Sequence, residues 1–474
     1  MPDPPNIDRT PEAHSIDVRA DPTAAATTAL GRLDRVLRPF ADVRSGEGVT
    51  ALLLALNVFL ILMAYYVLKP VREALILGEA TAELKTYLSG VEVVVLALIV
   101  PGYGRLVKSL DRRRLINTVT GFFILCLVGF YGLGRLGVPF GIVFFLWIGI
   151  FSMMTVSLFW SFANDLYTKE EGERLFPIVG FGASLGAVVG AALVRPVVHW
   201  VGVFELFLIA ALLLLVTLLI TNWIDRRQTR RRESRIVAGT VADAAPRPPP
   251  AVSAHGAFAL VFKTRYLLMI AVMLTLHNGV KTTGEYLLSH AVRASAVAAV
   301  GSTDMTAVQR TVGAFYSSFY AYVNTLGLVF QLLIVSRVVR YLGVPIAILI
   351  LPLLAMAGYG VIAFVPLLEV VFVAKVGENA TDYSLDNTVR NMLFLPCTTE
   401  EKYAAKQAID SFFVRLGDVL AAVIVFVGTN WLGLRSQGFA LVNIGLVGVW
   451  LVLAWHIGRA YRTPPPKDRV HLAA

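Results

Sequence analysis

Charge is what this sequence has least of. Of 474 residues only 16% are Asp, Glu, Lys or Arg, against 57% that are hydrophobic. A soluble domain carries about 25% charged residues, so this chain cannot cover a water-facing surface, and the soluble and disordered classes are excluded. Cysteine is nearly missing. Cys126 and Cys397 both sit in or beside apolar runs, which excludes a disulfide framework and a cysteine metal cluster. The phosphate loop GxxxxGK[ST] is absent, as are HExxH and CxxC. P-loop nucleotide hydrolysis, zinc-dependent proteolysis and dithiol redox chemistry therefore have no machinery, and neither an enzyme nor a cofactor or metal site is expected. The short alternating segments of an outer-membrane barrel are missing too. No leader peptide is read, because the first apolar run starts near Thr50 behind a polar tail.

What the chain has instead is long continuous apolar runs, which in a bilayer must be helices because each backbone group has to be satisfied within its own segment. Twelve spans are expected, at 50–69, 86–107, 115–135, 138–166, 176–196 and 201–223, then 264–290, 312–336, 343–364, 366–390, 408–430 and 438–458. They divide the chain into a tail (1–49), a six-helix half (50–224), a basic, proline-rich linker (225–256), a second half (257–458) and a C-terminal tail (459–474). In the first tail Leu30, Leu33, Leu37 and Phe40 recur at helical spacing beside Arg32, Arg35 and Arg38, the pattern of an interfacial amphipathic helix.

The basic residues orient the chain. With both termini cytoplasmic, 31 of the 42 Lys and Arg fall on the cytoplasmic side, 7 on the other, and 4 inside spans. That asymmetry puts both ends and the linker in the cytoplasm. It also accounts for the net charge of +10 without a nucleic-acid partner. A duplication is visible as well. Thr168, Lys169, Glu170, Glu171 and then Gly186 in a Leu-Gly pair correspond to Thr399, Glu400, Glu401, Lys402 and Gly417, at an offset of 231. Arg105, Lys108 and Leu110 correspond to Arg337, Arg340 and Leu342 at 232. A parallel six-helix repeat is the arrangement of the major facilitator superfamily. The expected fold is thus an all-α polytopic membrane protein of two six-helix halves, monomeric in the lipid bilayer.

Polar residues inside spans are costly, roughly 3 kcal/mol for a charge at the bilayer centre, and are functional candidates by default. Span ten carries Lys375, Glu378, Asn379, Asp382, Tyr383, Asp386, Asn387 and Arg390 at i, i+3, i+4, i+7, i+8, i+11, i+12 and i+15. That single helical stripe must face a cavity or a buried ion network. Span seven repeats the theme with His277, Asn278, Lys281 and Glu285. Span four offers Ser157, Trp160, Ser161, Asn164 and Asp165, and span one offers Asn57, Tyr65, Lys69, Arg72 and Glu73. Spans eleven (Asp410, Arg415, Asp418) and eight (Tyr316, Tyr320, Asn324, Gln331) add to these. Bland alternatives stand beside each: Lys69 snorkelling to headgroups, a structural Lys281–Glu285 pair, Arg415 locking onto Asp418 or Asp382, and His277 as plain packing. In span five Gly182, Gly186 and Gly190 mark close helix packing, with a sliding contact between the halves as one use of it. The loop with Asp111, Arg112 and Arg113 is either a latch of one access state or an ordinary positive-inside loop.

Three stretches carry a family resemblance: FWSFANDLYTKEEGERLFPIVGFGASLGAVVG from Phe159, ENATDYSLDNTVRNMLFLPCTTEEKYAAK from Glu378, and IDSFFVRLGD from Ile409. They resemble the nucleotide transporter family of bacterial and plastid ATP/ADP translocases. The resemblance implies exchange of ATP for ADP, or proton-linked nucleotide uptake, through a cavity with essential lysines and acids. It carries over to Lys69, and with less support from the motif to Lys281, Glu285 and Lys375. A bacterial inner membrane follows as the expected location. ATP carries about four negative charges; Lys69, Lys281, Lys375 and Arg415 supply four cations, with Arg72 nearby. Glu285, Glu378 and Asp382 would hold those cations apart in the empty site or carry a coupling proton. A proton-coupled carrier of another solute and a non-transporting scaffold are the alternatives.

Overall fold

The structure is a computed structural model that describes residues 43–44, 47–167, 169–237, 254–301, 304–397, 401 and 405–462. The segment Leu30 to Phe40, half of the linker (238–253), Thr168 and Thr399 lie outside these, as do the side chains of Arg105 and Lys108.

The described residues form twelve long helices. In the first half these are α1 (Gly48–Glu79), α2 (Ala82–Ser109), α3 (Arg112–Arg135), α4 (Gly141–Leu166), α5 (Lys169–Val201) and α6 (Glu205–Val237). After a short helix at Ala254–Lys263 follow α7 (Arg265–Val300), α8 (Met305–Leu342), α9 (Val344–Phe364), α10 (368–392), α11 (Lys406–Asn430) and α12 (Ser436–Arg462). Nine of them are long and apolar enough to cross a membrane on composition alone. Of the other three, α7 and α10 carry the polar stripes that the periodicity singled out. Large apolar side chains such as Leu98, Leu125 and Val373 are about 70% exposed, the outward face that only lipid would cover.

Helix ends follow from their neighbours. Asp304 Oδ1 accepts the amide of Ala307 at 2.9 Å and caps α8. Glu79, the last residue of α1, accepts the Gly141 amide at 2.6 Å and so caps α4. Before α1, Glu47 takes two hydrogen bonds of 3.0 Å from Arg174 of α5. Burial alone would raise its pKa, but Arg174 and the Arg44 amide together hold it below the usual carboxylate value.

One hydrophobic core lies wholly within residues 54–224, with Phe123, Phe144, Trp147, Phe151 and Phe207 interlocked by stacked and edge-on contacts. A second is built from residues 261–457, joined by Tyr66, Ile76, Leu77, Ala187 and a few neighbours from the first half.

The glycine stripe of α5 packs inside one half. A Cβ on Gly182 would lie 2.5 Å from the Ala55 carbonyl oxygen, on Gly190 2.5 Å from that of Met63, and on Gly186 against that of Phe59. All three partners are on α1, so the stripe fuses α5 to α1 and is not a sliding contact between halves. Its repeat counterpart does the same: a Cβ on Gly417 of α11 would meet the Thr275 oxygen of α7 at 2.5 Å. The contact of α5 with the other half is made by the adjoining face. Ser317 of α8 donates to the Ala191 carbonyl (2.8 Å) and accepts the Arg195 amide (2.9 Å), and Asn324 donates to the Ala187 carbonyl (3.2 Å). On the other side of the molecule α2 meets α11, where Tyr87 and Thr429 hydroxyls lie 3.3 Å apart.

Gly186→Val is expected to lower stability in detergent by about 1–3 kcal/mol, the usual cost of overpacking. Gly180→Ala, which meets nothing within 4 Å, should be neutral or stabilising. Thermal unfolding of the two variants checks the contrast.

Candidate functional site

α10 is helical throughout, but a π-helical turn at Asp382–Asp386 interrupts it. Such a turn inserts a residue and re-aims the side chains after it, a feature frequent at functional sites. A second lies in α11 at Ile409–Phe413. Between these two turns and α7 lies a cavity of about 510 Å³. Its walls are His277, Asn278 and Lys281 from α7, Asp382, Tyr383, Asn387 and Arg390 from α10, and Asp410, Val414, Arg415 and Asp418 from α11. Asn387 and Asp410 at the rim are exposed, so the cavity opens at the end of the molecule where α10 finishes and α11 begins.

The lining is charge-paired. Lys281 Nζ sits 2.6 Å from Asp382 Oδ2. Arg390 faces Asp386 at 3.3 Å. Arg415 reaches Asp418 at 3.6 Å and Glu92 of α2 at 3.8 Å, bridging the halves. Asp418 also accepts hydrogen bonds from Asn278 (2.9 Å) and Thr282 (2.7 Å). His277 lies between Asp382 (3.5 Å) and Asp386 (3.6 Å), its ring stacked on Trp450 at 4.7 Å.

The stripe of α10 thus divides. Its later residues line the cavity, while its earlier ones enter a closed network. Lys375, fully buried, donates to Glu378 at 2.9 Å and lies 3.9 Å from Glu285. Tyr359 of α9 donates to Glu378 (3.0 Å), and Asn379 donates to Glu285 (3.1 Å). Lys375, Glu378, Asn379 and Glu285 are therefore not cavity walls. Lys375 was expected to serve as a free cation, but here its charge is already matched.

Lys69 is different. Its Nζ donates to the Tyr383 hydroxyl at 3.4 Å and lies 4.2 Å from the Tyr320 ring centre, 5.1 Å from Tyr66, 5.7 Å from Tyr383 and 5.9 Å from Tyr65. It is 8% exposed, and among the described residues it makes no ion pair within 4.0 Å. Pro70 follows it inside α1 and lacks the amide that would bond to the Tyr66 carbonyl, loosening the helix at this point. Tyr383 is the link, because it touches Lys69 of one half, Lys281 of the other (4.9 Å) and the cavity.

Arg72, expected at the site, pairs with Glu73 next to it and stands over the Phe145 ring at 5.1 Å. Glu73 is fully buried and also meets Lys85 of α2 at 2.6 Å, and Lys85 donates to Ser289 of α7 at 2.7 Å. With Arg293 bonded to the Leu77 carbonyl (3.1 Å) and Tyr286 to Glu83 (3.0 Å), these contacts close the molecule at the end opposite the cavity mouth. Asn164 of α4 is exposed and absent from the cavity walls, so α11 supplies the wall that α4 was expected to give. Arg112 binds Asp225 of α6 and lies 3.8 Å from Asp165 of α4; Arg113 donates to Asn222 at 3.0 Å; Asp111 lies 3.9 Å from Arg114. These partners lie on α4 and α6 and beside the start of α3, and none of these contacts among the described residues joins the two sets of six helices.

Sequence reasoning did not anticipate Glu92, Lys85, Ser289 or Tyr359. Of these only Lys85 left a signal: a base set against the acid Glu73, near the facing ends of two helices joined by residues 80–81.

In a chain whose Cys126 and Cys397 are replaced by serine, cysteines at Asn387 and Asp410 are expected to react with a membrane-impermeant maleimide. Ser384→Cys, fully buried, should not react. Lys375→Met should lower stability by about 3–5 kcal/mol, since it strands buried carboxylates. Adding Glu378→Gln should recover part of that in an unfolding titration.

Comparison with known proteins places this geometry. The chain is 22% identical over 357 residues to the "ADP,ATP carrier protein 2" of Chlamydia pneumoniae, an alignment spanning 65% of this chain and 64% of that protein's length. Among solved structures it is similar to the nucleoside transporter NupG (TM-score 0.57, 14% identity, 87% of this chain and 99% of that one). It is similar also to a bacterial homologue of the iron transporter ferroportin in an inward-facing state (TM-score 0.57, 13% identity, 87% and 98%). At such identities the likeness is one of fold, which is major-facilitator-like. The model of the TLC ATP/ADP transporter family matches residues 140–461, two thirds of the sequence, and the chain belongs to that family of transporters.

Proposed function

We propose that this chain exchanges nucleotides of the ATP/ADP kind across a membrane by alternating access. Lys69 carries the reading. A buried ammonium held by aromatic faces and one hydroxyl, with no ion pair among the described residues, has its charge uncompensated, and a phosphate would compensate it. Lys281, Arg390 and Arg415 line the cavity on the other side of Tyr383. The cavity is within the usual range of small-molecule sites, about 300–1,000 Å³, and the name of the Chlamydia relative supports the same class of cargo.

In this reading Tyr383 hands the nucleotide from the cavity to Lys69. Lys281 leaves Asp382 to meet phosphate oxygens, and Arg415 leaves Asp418. The contacts of Glu73, Lys85, Ser289 and Arg293 form the far gate. Asp418, Gly182, Gly186 and Gly190 serve positioning and packing, and Lys375 with Glu378, Asn379 and Glu285 stiffens the second half. The lysine and arginine asymmetry supports cytoplasmic termini, hence an inward-facing state in a bacterial inner membrane, with residues 50–224 and 257–458 as the rocking units of a monomer.

Labelled ATP uptake into proteoliposomes loaded with ADP tests the proposal. Uptake should require internal ADP. Lys69→Ala and Lys281→Ala should each lower it about 10- to 100-fold, the equivalent of one charge-assisted hydrogen bond of about 1.5–3 kcal/mol. Uptake that ignores internal ADP but collapses with the pH gradient would indicate a proton-coupled carrier instead. Unchanged uptake in both lysine variants would remove the anion-binding argument.

A further inference from the structure

The walls of the cavity contain a group that anion binding does not use. His277 is 5% exposed and presents its two ring nitrogens to two different carboxylates, Nε2 to Asp382 Oδ1 at 3.5 Å and Nδ1 to Asp386 Oδ2 at 3.6 Å. Asp386 is also 5% exposed, and its Oδ2 accepts no hydrogen bond among the described residues. A neutral imidazole has one N–H and can serve one of the two carboxylates, whereas an imidazolium serves both. The geometry is one proton short of being satisfied.

The same three residues form a cluster of metal-ligating atoms, all within 4.8 Å of one another, but a metal fits them poorly. A metal takes one nitrogen of an imidazole, at about 2.0–2.1 Å for zinc, and here the carboxylates lie on opposite nitrogens. Asp382 Oδ2 already holds Lys281 at 2.6 Å, and Arg390 faces Asp386 at 3.3 Å. A hydrogen atom on each nitrogen suits this arrangement; a divalent ion would have to displace both cations.

We infer that His277, shared between Asp382 and Asp386, is a binding site for one proton, and that this proton frees Lys281 from Asp382 for the anionic cargo. The inference rests on the nucleotide reading for its cargo but not for the proton site itself. The balance is simple. Asp382 and Asp386 are matched by Lys281 and Arg390, so the cluster without the proton is neutral. One proton from cavity water adds one positive charge. Asp382 then has an N–H partner in His277, and Lys281 can turn to a phosphate without stranding a buried carboxylate. Among the described residues the charged groups that act on the imidazole are Lys281 on its own helix and Asp382, Asp386, Arg390 and the more distant Lys375 on α10. Asp410, Arg415 and Asp418 of α11 line the same cavity, and α12 contributes the uncharged Trp450. Proton and anion would bind cooperatively, each strengthening the other by the same factor.

Solution NMR of the purified full chain, labelled with ¹⁵N-histidine, follows the imidazole directly as the pH is lowered from about 8 to about 5, the range in which histidine changes charge. The His277 signal is assigned by its loss in His277→Gln. If that variant does not fold, Trp450→Phe assigns it instead, through the altered ring current on the stacked imidazole. We expect a single His277 titration without nucleotide, moved to lower pH in Asp386→Asn, which removes a negative charge beside the ring. ATP affinity, taken as a ratio to His277→Gln so that titration of the phosphates cancels, should rise by up to about tenfold per unit fall in pH across that titration. An imidazole that stays unprotonated over the whole range in protein that binds ATP overturns the proposal. So does Zn²⁺ or Mn²⁺ alone shifting the ring signal in the wild type and not in Asp386→Asn. A titrating His277 in protein that binds no ATP upholds the proton site and discards the nucleotide.

Discussion

The pairing of charge inside an apolar helix bundle governs this molecule. An ion in the membrane interior costs several kcal/mol unless it is compensated, and the interior of the second half holds Lys281, Lys375, Asp382, Glu378, Glu285 and Asp386. Each of these has an opposite charge or a hydrogen-bond donor within reach. The pairing decides which helices become neighbours: Lys375 and Glu378 draw α10 to Tyr359 of α9, Asn379 draws it to Glu285 of α7, and Asp418 fastens α11 to Asn278 and Thr282 of α7. What remains on the cavity side is a wall of ion pairs, and only water or a polar ligand can fill the space before it.

Rigidity and motion are then divided between two kinds of contact. Within each half, glycines let backbones approach until no side chain fits between them, as Gly186 does against Phe59 and Gly417 against Thr275. These seams cannot slide without a clash. Between the halves, beside the apolar contacts of Tyr66, Ile76, Leu77 and Ala187, run polar contacts that can be exchanged: Ser317 to Ala191, Asn324 to Ala187, Tyr87 to Thr429, Lys85 to Ser289. Such hydrogen bonds are worth about 0.5–1.5 kcal/mol each and can be exchanged for water as a gate opens. Stiff units whose shared interface includes exchangeable hydrogen bonds suit rigid-body rocking.

Much of this was legible in the sequence. The helical class, the twelve spans and the repeat follow from apolar runs, from the 231-residue offset of Gly186 and Gly417, and from the distribution of Lys and Arg. The stripe on α10 was legible because eight polar positions at helical spacing admit no lipid-facing arrangement. How that stripe divides was not, since the π-helical turn at Asp382–Asp386 changes the register where the cavity begins, and periodicity assumes a constant turn. Pairs across the halves were equally hidden: Glu92 and Arg415 meet only because α2 packs on α11. Asn164 misled because a polar face on α4 marks a surface that avoids lipid, and several surfaces in a two-half bundle do so. For Arg112 the sequence left a latch and an ordinary loop open, and its described partners Asp165 and Asp225 lie on α4 and α6, far from it in sequence and beyond the reach of periodicity.

The distribution of charge also bears on why such a carrier would exchange cargo rather than leak. Closing the cavity empty would dry its walls. The pairs Lys281–Asp382, Arg390–Asp386 and Arg415–Asp418 can enter a dry interior as neutral units, but Lys69, buried behind Tyr383, has a tyrosine cage and no ion pair among the described residues to match its charge. An uncompensated cation costs about 2.5–3.5 kcal/mol even on generous scales, enough to make the empty closed state roughly 70- to 400-fold rarer. A bound phosphate removes that penalty, and a second nucleotide removes it on the way back. A proton on the His277 cluster would add to the surplus in the empty cavity and so deepen its reluctance to close, while favouring closure around an anion. Under the proposed cycle, Lys69, without an ion pair among the described residues, and one shared proton would push in the same direction, and the tightness of exchange would follow from how much positive charge the closed interior leaves uncompensated.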